Sequence, residues 1–440
     1  MKYTYILFIF MLLYSCSGTK KVVQVTQPIK KEEVVEVKKN KSTDVKIDTM
    51  RLNDKSSTII PPPISDNTDN IKGSVVNRTL ALILPFKSSL GRVSSKENLS
   101  FLQYYGGIKL AAQKLEEEGI MLDIKVYDSE KITTKDLSTK LDLIIGPYAT
   151  AANDANKTLF QNVVEYGKKN KILVASPFYS NSKTTENNPY YIQLKPNLRE
   201  YLSRMVEHIS KNFTPNEVTI ILREGNVDLR WEEYIQEQAA AYYDKLQKNG
   251  FGKVIVKESA LNDKNPLFTE GINKGKKVYI LPNYSYNDEN YVLQVLTKLN
   301  SEKTSKDIIV YGMPLILDSD KIGINLYNAL QIRLVVPDFL ERNNDRATVF
   351  TNSFFNAYKT IPSSFAFEGY DTMLFLGRAI SQYGKDFPKQ IGRDKATYLQ
   401  TSYNVQAVYE DGDDSFTKLL FYENKHLEVI GFTNGRFRKI

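Results

Sequence analysis

The chain of 440 residues offers few side chains able to make or break covalent bonds. Its histidines, His208 and His426, stand far apart, and neither has a metal-ligand partner at helical or loop spacing. A zinc site or a histidine-activated nucleophile therefore lacks parts. No phosphate-cradling glycine loop is present. Glu116-Glu117-Glu118 and Asp413-Asp414 are adjacent charges of the kind that sit solvated on helix surfaces and turns. These residue types argue against an enzyme, and they call for no metal and no cofactor. What remains is one thiol, Cys16, and a set of loops that carry hydroxyls and aromatic rings.

Cys16 follows an apolar run, Tyr3 to Leu13, that begins just after Lys2. A charged start, a short apolar stretch and small residues at the cleavage point make a secretory signal peptide over residues 1–15, too short to span a bilayer. Leu13-Tyr14-Ser15-Cys16 resembles a bacterial lipobox, with Tyr14 bulkier than usual. The resemblance implies that the Cys16 sulfur receives a diacylglyceryl group and that Cys16 becomes the first residue of the mature protein. There is no second cysteine to form a disulfide. Two or more acyl chains suffice for stable membrane attachment. Ser17 and the absence of acid through Lys21 imply, by resemblance to known sorting rules, an outer-membrane lipoprotein facing the periplasm.

Residues 17–77 contain no Phe, Tyr or Trp, although aromatics make up 11% of the chain. A segment rich in Lys, Glu, Ser, Thr, Asp and Pro cannot bury enough apolar area to offset its ordering entropy, so residues 16–77 read as a lipidated, disordered tether. As a coil it would span on the order of 40 to 50 Å. The net charge of +8 would otherwise raise nucleic acid as a partner. Export removes that partner, and the lysines are spread among acids as on a solvated surface.

From Thr79 onward, apolar runs alternate with amphipathic stretches. Thr79 to Leu84 is nearly continuous and ends at Pro85, as in a strand buried on both faces of a parallel sheet. Phe101, Tyr105, Ile108, Ala112 and Leu115 then mark a helix. Strands follow at Leu122–Tyr127, Leu141–Ile145 and Ile172–Ala175, with a helix over about 152–168 between the last two. A second unit repeats the pattern: strands at Val218–Leu222, Lys253–Val256, Val278–Leu281 and Ile308–Tyr311, with helices near 198–212, 231–249 and 290–299. A strand near Leu330–Val336, helices near 348–359 and 365–383, and a strand-rich tail over 403–440 complete the chain. The fold class is α/β, with two doubly wound lobes in residues 78–440.

Several stretches resemble the type 1 periplasmic binding protein superfamily, which includes the leucine/isoleucine/valine-binding proteins. They are Tyr105 to Ala112, Leu143-Ile144-Ile145-Gly146-Pro147, Leu173 to Pro177, and Ala366 to Thr372. The anchor and tether are also similar to those of lipoproteins that activate penicillin-binding proteins. The resemblance implies a hinge and a central cleft, with lobe 1 over about 78–195 and 313–399 and lobe 2 over about 196–312 and 400–440. It places ligand contacts where strand ends lead into helix N-termini, whose free N–H groups attract an anionic group. Tyr148, Ala149 and Thr150 occupy one such loop, and Ser176, Phe178, Tyr179 and Ser180 the other. Thr150 serves equally as a helix N-cap. Tyr148, Phe178 and Tyr179 are larger than the residues amino-acid binders carry there, and they either stack on a larger ligand or fill the cleft. In lobe 2, Glu224 or Asp228 could receive an ammonium and Arg230 a carboxylate, although loop charges at helix starts are more often solvated, and Asn283 and Tyr284 form the remaining cleft-facing loop.

Two functions follow. One is a lipid-anchored solute-binding protein for a small polar or amphipathic ligand such as an amino acid, a peptide or a wall fragment, working with a transporter. The other is a docking lipoprotein whose cleft is collapsed and whose surface engages a cell-wall synthesis enzyme.

Overall fold

The computed structural model describes residues 48–50, 76–88, 96–148, 154–178, 180–181, 184–243, 250–341, 345–394, 396, 398–410 and 417–440. Its first strands are β1 (Asp48–Met50), β2 (Val76–Leu84), β3 (Ile120–Asp128), β4 (Leu143–Ile145), β5 (Leu173–Ser176) and β6 (Tyr191–Gln193). They alternate with helices α1 (Lys96–Glu117) and α2 (Asp154–Asn170). Next come α3 (Leu198–Ser210), β7 (Val218–Arg223), α4 (Asn226–Tyr242), β8 (Gly252–Val256), α5 (Thr269–Asn273), β9 (Val278–Leu281), α6 (Glu289–Glu302) and β10 (Ile309–Gly312). The short α7 (Leu315–Asp318) and α8 (Ile324–Ala329) lead to β11 (Arg333–Val336), followed by α9 (Asp345–Tyr358), α10 (Ser364–Tyr383) and α11 (Phe387–Gln390). The chain closes with β12 (Val405–Tyr409), β13 (Leu419–Asn424), β14 (Glu428–Thr433) and β15 (Arg436–Lys439).

Among the described residues these strands form two sheets. The first runs in the order β1-β3-β2-β4-β5-β6-β13-β12 and the second β15-β14-β11-β10-β9-β7-β8. Strands β2 to β6 and β13 are mutually parallel, as are β7 to β11. Antiparallel strands close the edges: β1 and β12 in the first sheet, β14 and β15 in the second.

The apolar runs explain the layering. In β2 alternate residues point to opposite faces: Leu80, Leu82 and Leu84 join the layer of α1 and α10, whereas Ala81 and Ile83 join Tyr127 and Phe160. In β9, Val278 and Ile280 meet Leu202 and Met205 of α3, while Tyr279 and Leu281 meet Val292 and Leu296 of α6. Helices cover both faces of each sheet, which is the doubly wound arrangement. Helices α1 and α10 pack at backbone contact. A Cβ on Gly107 would lie 2.0 Å from the Ala366 carbonyl oxygen, and one on Gly369 would lie 2.1 Å from that of Tyr104. No helix among the described residues is long and apolar enough to cross a membrane.

The chain passes between the lobes after β6, after β11 and after β13. The first lies between β6 and β7. The other two come later than residues 312/313 and 399/400. β11 continues the parallel run beside β10, and β13 pairs in parallel with β6. Residues 313–336 therefore belong to the second lobe, and β12 and β13 to the first. β1, inside the segment read as tether, adds to the outer edge of β3.

A polar hub ties the first and third crossings together. The buried Glu423 carboxylate accepts from Gln193 Nε2 at 2.8 Å, from the Asn197 backbone N–H at 2.6 Å and from Asn197 Nδ2 at 2.9 Å, and it pairs with Lys425. Asn424 accepts from the backbone N–H groups of Asn404 at 2.8 Å and His426 at 3.2 Å. Its Nδ2 donates to the carbonyls of Leu194 at 3.3 Å and Ser402 at 3.2 Å. Burial raises the Glu423 carboxyl above its ordinary value, and Lys425 opposes that rise.

Candidate functional site

The first-lobe wall is aromatic. After β4 the chain turns at Gly146, whose φ of +92° favours glycine and where a Cβ would lie 2.4 Å from the Ile83 carbonyl oxygen. That turn delivers Tyr148. Its ring lies 4.6 Å from Phe101 and 5.5 Å from Phe178, both edge-on. Phe178, in the loop after β5, also meets Tyr104 at 4.8 Å and Phe101 at 5.5 Å. Phe365, at the start of α10, sits 5.8 Å from Phe101. Phe101 and Tyr104 are buried, whereas Tyr148 and Phe178 are half-buried. The loop rings thus stand on a foundation that α1 supplies.

The two described serines of this wall bond within the protein. Ser176 is fully buried at the end of β5, where its carbonyl accepts from the Leu194 N–H at 2.8 Å. Ser180 Oγ donates to the Pro196 carbonyl at 2.7 Å and accepts from Gln193 Nε2 at 3.4 Å. Cys16, Ala149, Thr150 and Tyr179 lie outside the described residues.

At the base of the cleft the crossings bring three charges together that no local motif announced. Lys195 Nζ lies 2.8 Å from Asp338 Oδ2 and 3.1 Å from Glu368 Oε1. Burial alone would depress the lysine, but the two carboxylates outweigh it and hold the ammonium above its ordinary value. Burial raises Glu368, which Lys195 partly offsets. The recess beside this triad, bordered by Pro177, Pro337 and Tyr403, has room for about one water molecule. Behind it Asp371, fully buried on α10, accepts from the backbone N–H groups of Leu399 at 2.8 Å, Gln400 at 2.9 Å and Thr401 at 3.3 Å. Thr401 Oγ1 in turn donates to the Pro337 carbonyl at 3.0 Å.

The second-lobe wall is built from the carboxyl ends of β7, β9 and β10. Tyr284 and Tyr286 are exposed by 46% and 68%, large fractions for rings on a folded lobe. Tyr286 donates to Asp318 Oδ2 at 2.9 Å. Burial raises the Asp318 carboxyl above its ordinary value, and the bond from Tyr286 opposes that rise. Trp231 of α4 meets Tyr284 edge-on, at 6.3 Å between centroids. Asn283 is buried, and its Nδ2 donates to Asp288 Oδ2 at 3.4 Å. Arg223 bridges Glu258 at 2.6 Å and Asp288 at 2.7 Å. Glu224 faces Lys257 at 3.3 Å in an exposed ion pair, and Arg230 is exposed on α4.

Of the residues expected from sequence, Tyr148 and Phe178 come together in one wall and Asn283 and Tyr284 in the other. Lys195, Asp338, Glu368 and Trp231 join them in space. Glu368 lies inside a stretch read only for fold, and Lys195 follows β6, a strand of three residues that leaves no periodic signal.

No family model matches the chain, and no curated protein sequence does. Solved structures do. A protein assigned to branched-chain amino acid ABC transport in Rhodospirillum rubrum superposes with a TM-score of 0.58 at 16% identity, covering 83% of this chain and 100% of that one. An ABC transporter substrate-binding protein from Desulfitobacterium hafniense in complex with leucine gives 0.51 at 14% identity, covering 83% and 100%. A branched-chain amino acid ABC transporter periplasmic ligand-binding protein from Burkholderia xenovorans gives 0.52 at 12% identity, covering 82% and 94%. This chain has the fold those proteins share, the two-lobed type 1 periplasmic binding protein fold.

Proposed function

We propose that a chain with this fold acts in the bacterial cell envelope as a non-enzymatic binding protein that closes its lobes on a small polar or amphipathic ligand. A lipid on Cys16 would hold it to the outer membrane on the periplasmic side, and an ABC transporter is the partner the fold brings to mind. The observation that carries the reading is that each lobe presents rings in the loops at its strand ends, Tyr284 and Tyr286 exposed in the second and Tyr148 and Phe178 half-buried in the first. Rings so placed favour a ligand with a flat or apolar face, such as a peptide or wall fragment, over a free amino acid. The commitment of Ser180 to Pro196 supports the same preference.

The second reading, a docking lipoprotein for cell-wall synthesis enzymes, is favoured by one observation. Tyr148, Phe178 and Phe101 pack on one another as a collapsed cleft would have them.

A thermal-shift screen of amino acids, short peptides and muropeptides separates the two. A ligand touching both lobes, present at about 100 times its dissociation constant, adds roughly 2.7 kcal/mol to stability. Replacing Tyr148 and Phe178 with Ala should weaken that response. If no compound shifts the wild type, and the double replacement destabilises the unliganded protein by about 3 kcal/mol or more, the docking reading replaces the binding one.

A further inference from the structure

Lys195 serves two acids at once. Its Nζ lies 2.8 Å from Asp338 Oδ2 and 3.1 Å from Glu368 Oε1, so two carboxylates share a single ammonium and a negative charge is left over. Among the described residues the second oxygen of each, Asp338 Oδ1 and Glu368 Oε2, accepts no hydrogen bond. Both acids border the water-sized recess, and their side chains keep 29% and 17% of their surface accessible, so solvent reaches them. Gln400 borders the recess as well. It is only 5% exposed, and its side-chain oxygen has no donor among the described residues. Thr372 and Tyr403 add hydroxyls to the lining, and these too can accept. The recess is thus rich in acceptors and negative in charge. Burial lifts the Glu368 carboxyl, and a second cation beside it would oppose that rise. An ammonium group is about the size of a water molecule, donates up to three hydrogen bonds and accepts none.

We propose that this recess takes the primary ammonium group of a ligand, which donates to Asp338, Glu368 and the Gln400 side-chain oxygen while Lys195 fixes the two carboxylates in place. The ligand class is thereby an amine-bearing molecule, a peptide with a free N-terminus or an amino sugar. A carboxylate would meet the surplus negative charge and be repelled. Pro177 borders the same recess and directly precedes Phe178, so the body of a ligand anchored there lies beside the aromatic wall. The inference rests on the reading of the cleft as a ligand site and adds the charge the ligand must carry.

The probes are trialanine against N-acetyltrialanine and glucosamine against N-acetylglucosamine, with affinities for the full chain read by calorimetry. At least one free amine should bind about tenfold or more tighter than its acetylated counterpart, as a hydrogen bond between charged groups requires. Which pair discriminates tells a peptide from an amino-sugar ligand. The advantage of trialanine should fade as the pH rises past about 8, where an α-amino group loses its proton, and N-acetyltrialanine should show no such change. Glu368→Gln and Asp338→Asn should each abolish the discrimination, since either leaves Lys195 with a single carboxylate and the recess with no surplus charge. Each variant keeps Lys195 paired and the side-chain shape unchanged, and circular dichroism checks that the fold is retained. Equal affinities within both pairs overturn the inference and leave the binding reading standing. A preference for the free amine that persists in both variants also overturns it, because the ammonium would then sit elsewhere. Binding of no probe overturns it too, and binding of no compound in the wider screen overturns both.

Discussion

Asp371 accepts three backbone N–H bonds, an arrangement that favours a carboxylate, yet burial dominates and pushes its carboxyl up to about 7 from 3.8. A group whose folded value lies above its unfolded one binds its proton more tightly in the folded state. Its contribution to stability is therefore complete below about pH 4 and is lost as the pH rises through about 7. Relative to Asp371→Asn, the wild type should lose on the order of 4 kcal/mol of unfolding free energy across that window. Denaturant titrations of both proteins between pH 4 and 8 measure this, and a constant difference would refute it. The residue scale is also where the sequence said least. Tyr148 and Phe178 were singled out through the family resemblance, each in a loop that follows an apolar run and a proline. The Lys195–Asp338 pair was not, since it joins positions 143 residues apart that only the crossings bring together.

Elements were far more legible, for a physical reason. Strands buried on both faces must be continuously apolar, and helices on a sheet must repeat their apolar residues every three or four positions. β2, α1, β9 and α10 announce themselves in this way. β6 does not, because three residues are too few to show an alternation, and α4 begins at Asn226, earlier than the expected start near Trp231. The strand-rich tail was visible as strands, but which sheet each joins depends on distant partners, and so the later crossings were misplaced. The α1–α10 seam gives an element-scale prediction. Gly369→Ala drives a methyl into the Tyr104 carbonyl and should cost about 2 to 3 kcal/mol. It should also disturb the ring cluster that Phe101 and Tyr104 support. An unchanged denaturation midpoint would show that the two helices separate freely.

At the scale of the whole molecule, the Glu423–Asn424 hub joins the first and third crossings and leaves rotation about the crossings as the natural relative motion of the lobes. The proposed position of the protein in the cell rests on Cys16. Cys16→Ser should leave the precursor unlipidated and uncleaved by the lipoprotein peptidase, and intact-mass measurement decides. A wild-type mass without lipid would remove the anchor from the proposal. The interleaving of the lobes reaches further, into the order of events in biosynthesis. β13 is the strand that joins β12 to β6, and β14 is the strand that joins β15 to β11. Neither sheet can be completed until residues 419–439 have been made. Contacts of such long sequence separation form slowly, because the loop entropy must be overcome before they reward it. A nascent chain therefore cannot complete either lobe before its last strands are made, a delay that would suit the export proposed for it.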